Sequence, residues 1–188
     1  MRIQDQTFTK ITFEGQMLSR DGYDNCEFLD CTFSKADFSD IEFIECTFKL
    51  CDFSLGKLDN AGIKDVSFSE CNFLGVDLSV CSPFLWKASF NDCQMDLIIA
   101  TGMNLKGTQF NSCSLKEADF TNADLSLASL NDCNLERAIF NNTNLEKTDF
   151  RTAHSYSFEP GKNILKKTKF SSNGIMGLLS SYDIIVSP

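Results

Sequence analysis

The chain is poor in the residues that site chemistry most often uses. It has one histidine, His154, no pair of cysteines at C-x-x-C spacing, and ten glycines scattered without a phosphate-cradling cluster. Around a single histidine no nucleophile–base–orienter set can be built, so His154 reads as a surface or turn residue and no catalytic residue is expected. An odd number of cysteines, nine, speaks against a disulfide framework, and their spacing against a zinc site; neither metal nor cofactor is expected. Bases are scarce too: 17 Lys and Arg stand against 26 Asp and Glu, a net charge of −9 with pI near 4.6. Such a surface repels phosphate. It excludes direct nucleic-acid binding and suits a basic partner, or one that normally holds DNA, although plain solubility explains the charge equally well. No apolar run approaches membrane-spanning length and Met1–Gln6 has no signal-like stretch, which points to a cytoplasmic protein.

What is present is a register. From Phe28 to Leu78 every fifth residue is Phe, Leu or Ile, and the register resumes at Leu85 and runs to Phe150, with Met95 and Ala100 as exceptions. A period of five fits neither an α-helical stripe nor the two faces of a flat strand, so the chain must turn every five residues. Two residues before each large residue stands a small one, such as Cys31, Ala36, Cys51, Ala61, Cys113 or Ala123, and this spacing sends both inward. The remaining positions are mostly polar and face water.

The cysteines supply the number of sides. Cys31, Cys51 and Cys71 are 20 residues apart, as are Cys93, Cys113 and Cys133, while the step from Cys71 to Cys93 is 22. Twenty residues make one turn of four sides, and two extra residues bulge out near Cys81–Phe84, within 79–84, where Pro83 belongs because it cannot donate to a ladder. Eight cysteines are thereby packing residues. Cys81, outside the register, is the candidate reactive thiol, although ordinary burial is the reading its surroundings favour.

A small residue, a polar residue, Phe or Leu, then two polar positions, repeated over roughly residues 6–150, resembles the pentapeptide-repeat family. The resemblance implies an all-β fold: a right-handed quadrilateral parallel β-helix, here of about seven to eight coils over residues 1–170, with successive coils about 4.8 Å apart. Such a rod needs capped ends. In residues 171–188 the period changes. Ser171, Ser172 and Asn173 can cap a helix, Ile175, Leu178, Leu179 and Tyr182 fall on one helical face, and Asp183–Val186 reads as a short strand. A short C-terminal capping and dimerisation helix is the expectation. This ending resembles that of the quinolone-resistance (Qnr-like) branch, and the resemblance implies a homodimer through Ile175, Leu178, Leu179, Tyr182, Ile184, Ile185 and Val186. The two projecting loops of that branch's plasmid-borne members are missing here.

The same resemblance implies a non-catalytic DNA mimic that binds a type II topoisomerase, DNA gyrase or topoisomerase IV, and inhibits it or protects it from quinolones. The alternative is a scaffold for another protein. Residues 21–80 carry thirteen acids and four bases, net −9, whereas residues 81–150 carry nine and five, net −4. Any DNA-like surface therefore belongs to the N-terminal half. Within it, one side gathers Asp37, Asp40, Asp59 and Asp77 against Lys57, and these four acids are the candidate partner-binding residues. Clustered bases, Lys162, Lys166, Lys167 and Lys169, mark the C-terminal end.

Overall fold

A computed structural model describes residues 2–13, 18, 21–84, 86–179, 182 and 184. The backbone turns every five residues, and each corner has a physical signature. The third residue of a four-residue turn takes a left-handed φ, as at Lys35 (57°), Asp40 (62°), Glu45 (52°) and Leu50 (55°). The turn is closed by a backbone bond such as Ala36 N–H to Phe33 O, 2.9 Å, or Ile41 N–H to Phe38 O, 3.0 Å. Four corners complete a coil, and the next coil pairs with it in parallel at an offset of 20 residues.

The flattest side carries a seven-stranded parallel sheet in the spatial order β2 (Thr7–Thr9), β4 (Glu27–Leu29), β6 (Thr47–Lys49), β8 (Val66–Ser69), β9 (Ala88–Asn91), β10 (Gln109–Asn111), β11 (Ser129–Asn131). Its strands span about six turns of regular solenoid, and single bridges from Ser129 to Asp149 and on to Lys169 extend the column. The side that follows Phe38 holds a four-stranded sheet, β1 (Ile3–Gln4), β3 (Tyr23–Asp24), β5 (Glu42–Ile44) and β7 (Gly62–Lys64). The other two sides pair only through isolated bridges, because their straight segments are too short for a full ladder.

Inside, the columns predicted from the register are in place. Phe28 and Phe48 stack at 4.5 Å between ring centroids, Phe48 and Phe68 at 5.2 Å, Phe68 and Phe90 at 5.2 Å. Phe33, Phe53 and Phe73 form the adjacent column, at 5.1 and 4.8 Å, and the two columns meet edge to face. Each such ring contributes about 1.5–3 kcal/mol by burial alone. Where Leu58, Ile63 and Leu78 replace Phe, a void of about 10 Å³ remains, room for at most one water and lined only by apolar side chains.

All nine cysteines are buried free thiols. In the six-membered column each Sγ points to the carbonyl of a central residue one coil below, as in Cys51 to Phe28 O at 3.4 Å and Cys133 to Phe110 O at 3.4 Å. Thr143 and Thr148, at the same small position on other sides, make the equivalent bonds to Phe120 O and Leu125 O at 2.9 and 2.7 Å. The position takes a small residue, and where that residue carries a donor it reaches a carbonyl of the coil below.

Two expectations need correction. The two extra residues displace the ladder from Val66–Ala88 onward, so that Phe68 pairs with Phe90. However, Ser82 N–H still reaches Ala61 O at 2.9 Å, the regular offset, and the insertion therefore lies between Ser82 and Lys87. Cys81 consequently stands in register above Ile41 and Ala61, closed by the same turn bond, Cys81 N–H to Leu78 O at 3.1 Å. Burial, followed by the charges of Asp77 and Asp59, pushes its thiol up to about 12, which leaves almost no thiolate at neutral pH and removes it as a reactive group. Leu85, where the sequence register resumes, lies outside the described residues.

The second correction is at the C-terminus. In place of an amphipathic α-helix there is a five-residue 3₁₀ turn, Gly174–Leu178. Asn173, at its N-cap, makes no side-chain cap bond, while Ser171 Oγ accepts from Gly174 N–H at 3.0 Å. The turn is pressed against Tyr156: a Cβ at Gly174 would collide with the Tyr156 hydroxyl, and one at Gly177 with the Tyr156 carbonyl oxygen. Two glycines in five residues disfavour a helix intrinsically.

Candidate interaction surfaces

The acidic set is assembled by the Phe38 side of the coil. Asp37 and Lys57 are bridged across adjacent coils, and Asp77 heads the continuation of that column, bridged to Ile99, then Asp119, then Ile139. Asp40 and Asp59 line the far edge of the same side: Asp40 occupies a left-handed corner, and its Oδ1 accepts from Asn60 Nδ2 at 2.8 Å. Asp37, Asp40 and Asp59 are exposed and Asp77 half-buried. Each aspartate in the column before the central residue also fixes its own turn, Asp37 Oδ1 accepting from Ser39 N–H at 3.0 Å and Asp77 Oδ1 from Ser79 N–H at 2.9 Å. The structure thus brings the four sequence-predicted acids to one side, with Lys57 among them. It also adds Asp119, which the sequence reading missed. Carrying the 22-residue step through the whole column would have found it.

Other acids of the N-terminal half are neutralised. Glu42 is clamped by Arg2 and by Lys64, the latter at 2.5 Å, and the hydrogen bond from Lys64 holds its carboxyl below the usual range. Asp65 pairs with Lys87, and Glu70 with Lys49 at 3.4 Å. On the Phe43 side, three bases, Arg2, Lys64 and Lys87, are thus held in ion pairs with Glu42 and Asp65.

The insertion projects Phe84, 67% exposed, over Lys64, whose Nζ lies 5.5 Å from the ring centroid. This cation–π contact pins the bulge to the rod. An open groove beside it, about 560 Å³, is lined by Asp65, Ser67, Trp86, Lys87, Lys106 and Gln109. His154 remains in the ladder, bridged to Asn134, with its ring exposed and Nδ1 3.2 Å from Ser155 Oγ. Among the described residues no group of three or more His, Cys, Asp or Glu could hold a metal ion, and no helix is long and apolar enough to cross a membrane.

The predicted dimer set divides. Leu178 is buried and belongs to the continuous core, and Leu179 is half-buried. Ile175, Tyr182 and Ile184 are exposed, as is Met176. Ile185 and Val186 lie outside the described residues, as does most of the expected terminal strand.

Comparison with known proteins follows the same lines. A family profile described as Pentapeptide repeat region matches residues 41–120, and one described as Pentapeptide repeats (8 copies) matches residues 118–154; together they cover more than half of the chain. No curated protein sequence matches it. Among solved structures, HetL, a pentapeptide repeat protein involved in heterocyst differentiation regulation from the cyanobacterium Nostoc sp. strain PCC 7120, superposes with a TM-score of 0.56 at 16% identity over 93% of this chain and 92% of that one. QnrB1, a plasmid-mediated fluoroquinolone resistance protein, superposes with a TM-score of 0.44 at 16% identity over the full length of both chains. The likeness to HetL is one of fold.

Proposed function

Because this chain belongs to the pentapeptide-repeat family, we propose that it is a non-catalytic protein-interaction rod of the cytoplasm whose acidic side mimics duplex DNA and binds a type II topoisomerase, DNA gyrase in the first place. One observation carries the reading: Asp37, Asp40, Asp59 and Asp77 stand together on one side of a rigid rod at coil spacing. Residues 21–80 carry a net −9. Over three coils, about 14 Å at the strand spacing, that is one charge per about 1.6 Å, against about 1.7 Å for B-DNA. None of the four acids is needed to fill the core, so their grouping is free to serve a partner.

The exposed Ile175, Met176, Tyr182 and Ile184 at the capped end offer an apolar contact, and we propose that two copies meet there about a two-fold axis. Deletion of residues 171–188 is expected to give monomers or aggregates, and light scattering of the intact protein at tens of micromolar should show a dimer; a monomer would remove this part of the proposal.

The main reading is tested by a gyrase supercoiling assay with the purified protein, with and without a fluoroquinolone. Inhibition, or rescue from the drug, at micromolar protein supports it. Inertness at saturating protein would leave the alternative, a scaffold for another protein.

A further inference from the structure

The side that carries the acids also carries leucines that the fold does not need. Leu55 and Leu97 occupy left-handed corners, φ 56° and 60°, and are 61% and 50% exposed. Side chains with a Cβ are disfavoured in this conformation, Asp and Asn least so, and ten of the 24 non-glycine left-handed positions among the described residues are Asp or Asn. A leucine there gains neither backbone ease nor burial.

Leu55 and Leu97 lie on one edge of the rod, on either side of Gly75, whose φ is 67°; the Cδ2 of Leu55 lies 3.9 Å from where a Cβ on Gly75 would stand. Leu74 and Ile99, 38% and 40% exposed, extend the patch over three successive coils. Ile99 is bridged between Asp77 and Asp119, so apolar and acidic groups alternate along one column. An apolar centre rimmed by charge is the anatomy of a protein interface, whereas a surface that imitated only phosphate spacing would have no use for leucine.

Resting on the protein-interaction reading above, we propose that the Leu55–Leu97–Ile99 edge is the anchor of the docking surface. Its occupant is a protein segment that presents apolar side chains between lysines or arginines, the bases facing Asp59, Asp77 and Asp119. Binding then has two separable parts, one screened by salt and one not.

The experiment uses the full chain immobilised and purified DNA gyrase as the probe, at about 0.05 M and about 0.5 M salt. The triple variant L55N/L97N/I99T puts corner-tolerant Asn at the two strained positions and should keep the thermal transition of the wild type. It is expected to lose affinity at least tenfold at both salt concentrations. Leu127, an exposed left-handed leucine on a different edge, is the control, and L127N should bind as the wild type does. A triple variant that binds gyrase normally, while reversal of the four aspartates abolishes binding, overturns the apolar anchor and leaves the acidic docking reading standing.

If the wild type does not bind gyrase, the gyrase reading falls by itself. The anchor is then decided by photo-cross-linking from benzoylphenylalanine at position 97 in the producing cells, with position 111 as reference. An adduct to a protein that, once purified, binds the wild type and loses at least tenfold on the triple variant supports the anchor. The absence of any adduct beyond that from position 111 overturns it.

Discussion

In residues 21–80 the inward columns are mostly aromatic, with stacks such as Phe28–Phe48 at 4.5 Å and Phe53–Phe73 at 4.8 Å and with Leu58, Ile63 and Leu78 as the exceptions. In residues 88–150 leucine and phenylalanine share them, Leu105, Leu115, Leu125, Leu130, Leu135 and Leu145 standing among Phe90, Phe110, Phe120, Phe140 and Phe150. Outside, the first region is net −9 and residues 81–150 net −4, and the end of the rod, residues 151–170, is net +4 from five bases and one acid. The backbone is the same in both: the same corners, the same turn bonds, the same 20-residue offset. The difference teaches what this fold constrains. It demands a small donor-capable or aliphatic residue and a large apolar one at two inward positions and leaves the outward three nearly free. The outward charge, net −9 in one region and net −4 in the other, is therefore not dictated by the backbone that the two regions share.

The sharpest way to break the comparison is to move the charge. Asp37, Asp40, Asp59 and Asp77 changed together to Lys should abolish topoisomerase binding while the rod still folds with a lowered denaturation midpoint, since the charges themselves contribute about 0–1 kcal/mol each and the turn bonds accepted by Asp37 and Asp77 about 0.5–1.5 kcal/mol each. The same number of acid-to-lysine changes in the C-terminal half, for example at Asp92, Asp132, Glu136 and Glu146, should leave binding intact. Equal binding by both variants would make the acidic side merely solubilising.

Next in size is the core. Phe53 touches five other rings, Phe33, Phe38, Phe48, Phe68 and Phe73, and Phe53→Ala should cost about 3–5 kcal/mol in urea denaturation. Leu135→Ala, in the leucine region, should cost about 2–5 kcal/mol. If Phe53→Ala proves the milder, the aromatic stacks are not the stiffer half of the rod.

The capped end should yield to a single methyl group. Gly177→Ala must push the 3₁₀ turn away from Tyr156. An overpacking cost of about 1–3 kcal/mol is expected, read as faster amide exchange confined to the last coil with the β2–β11 sheet unaffected. Smallest is the thiol column: replacing Cys51 and Cys113 together with Ala should cost about 1–3 kcal/mol, shared between the two halves, with the fold unchanged. Stoichiometric zinc in the wild-type protein would contradict the packing role assigned to these residues.

Most of the fold is legible in the sequence because its signal is long-range and redundant. The Phe/Leu register gives the length of one side, the Cys31–Cys133 column gives the length of the coil, and both show the two-residue shift. What is not legible depends on contacts between segments. The 22-residue step says that two residues are inserted but not where, and so Cys81 is taken as off register although its turn bond to Leu78 keeps it in line. Ile175, Leu178, Leu179 and Tyr182 do have helical spacing, but Gly174 and Gly177 are there to lie against Tyr156, a contact that periodicity cannot reveal. The acidic side can be read from spacing alone. Its apolar edge cannot, because Leu55, Leu97 and Ile99 join only after the bulge is placed and the corner geometry is known.

The claim that the acidic side stands in for DNA is tested most directly by competition. Gyrase carrying a labelled duplex is titrated with the rod at low salt, and the bound fractions of both are followed. Mutually exclusive binding that weakens steeply as salt rises, and that vanishes when Asp37, Asp40, Asp59 and Asp77 are changed to Lys, is the result expected. Simultaneous binding of duplex and rod to one gyrase, or exclusion that survives the charge reversal, would contradict the account.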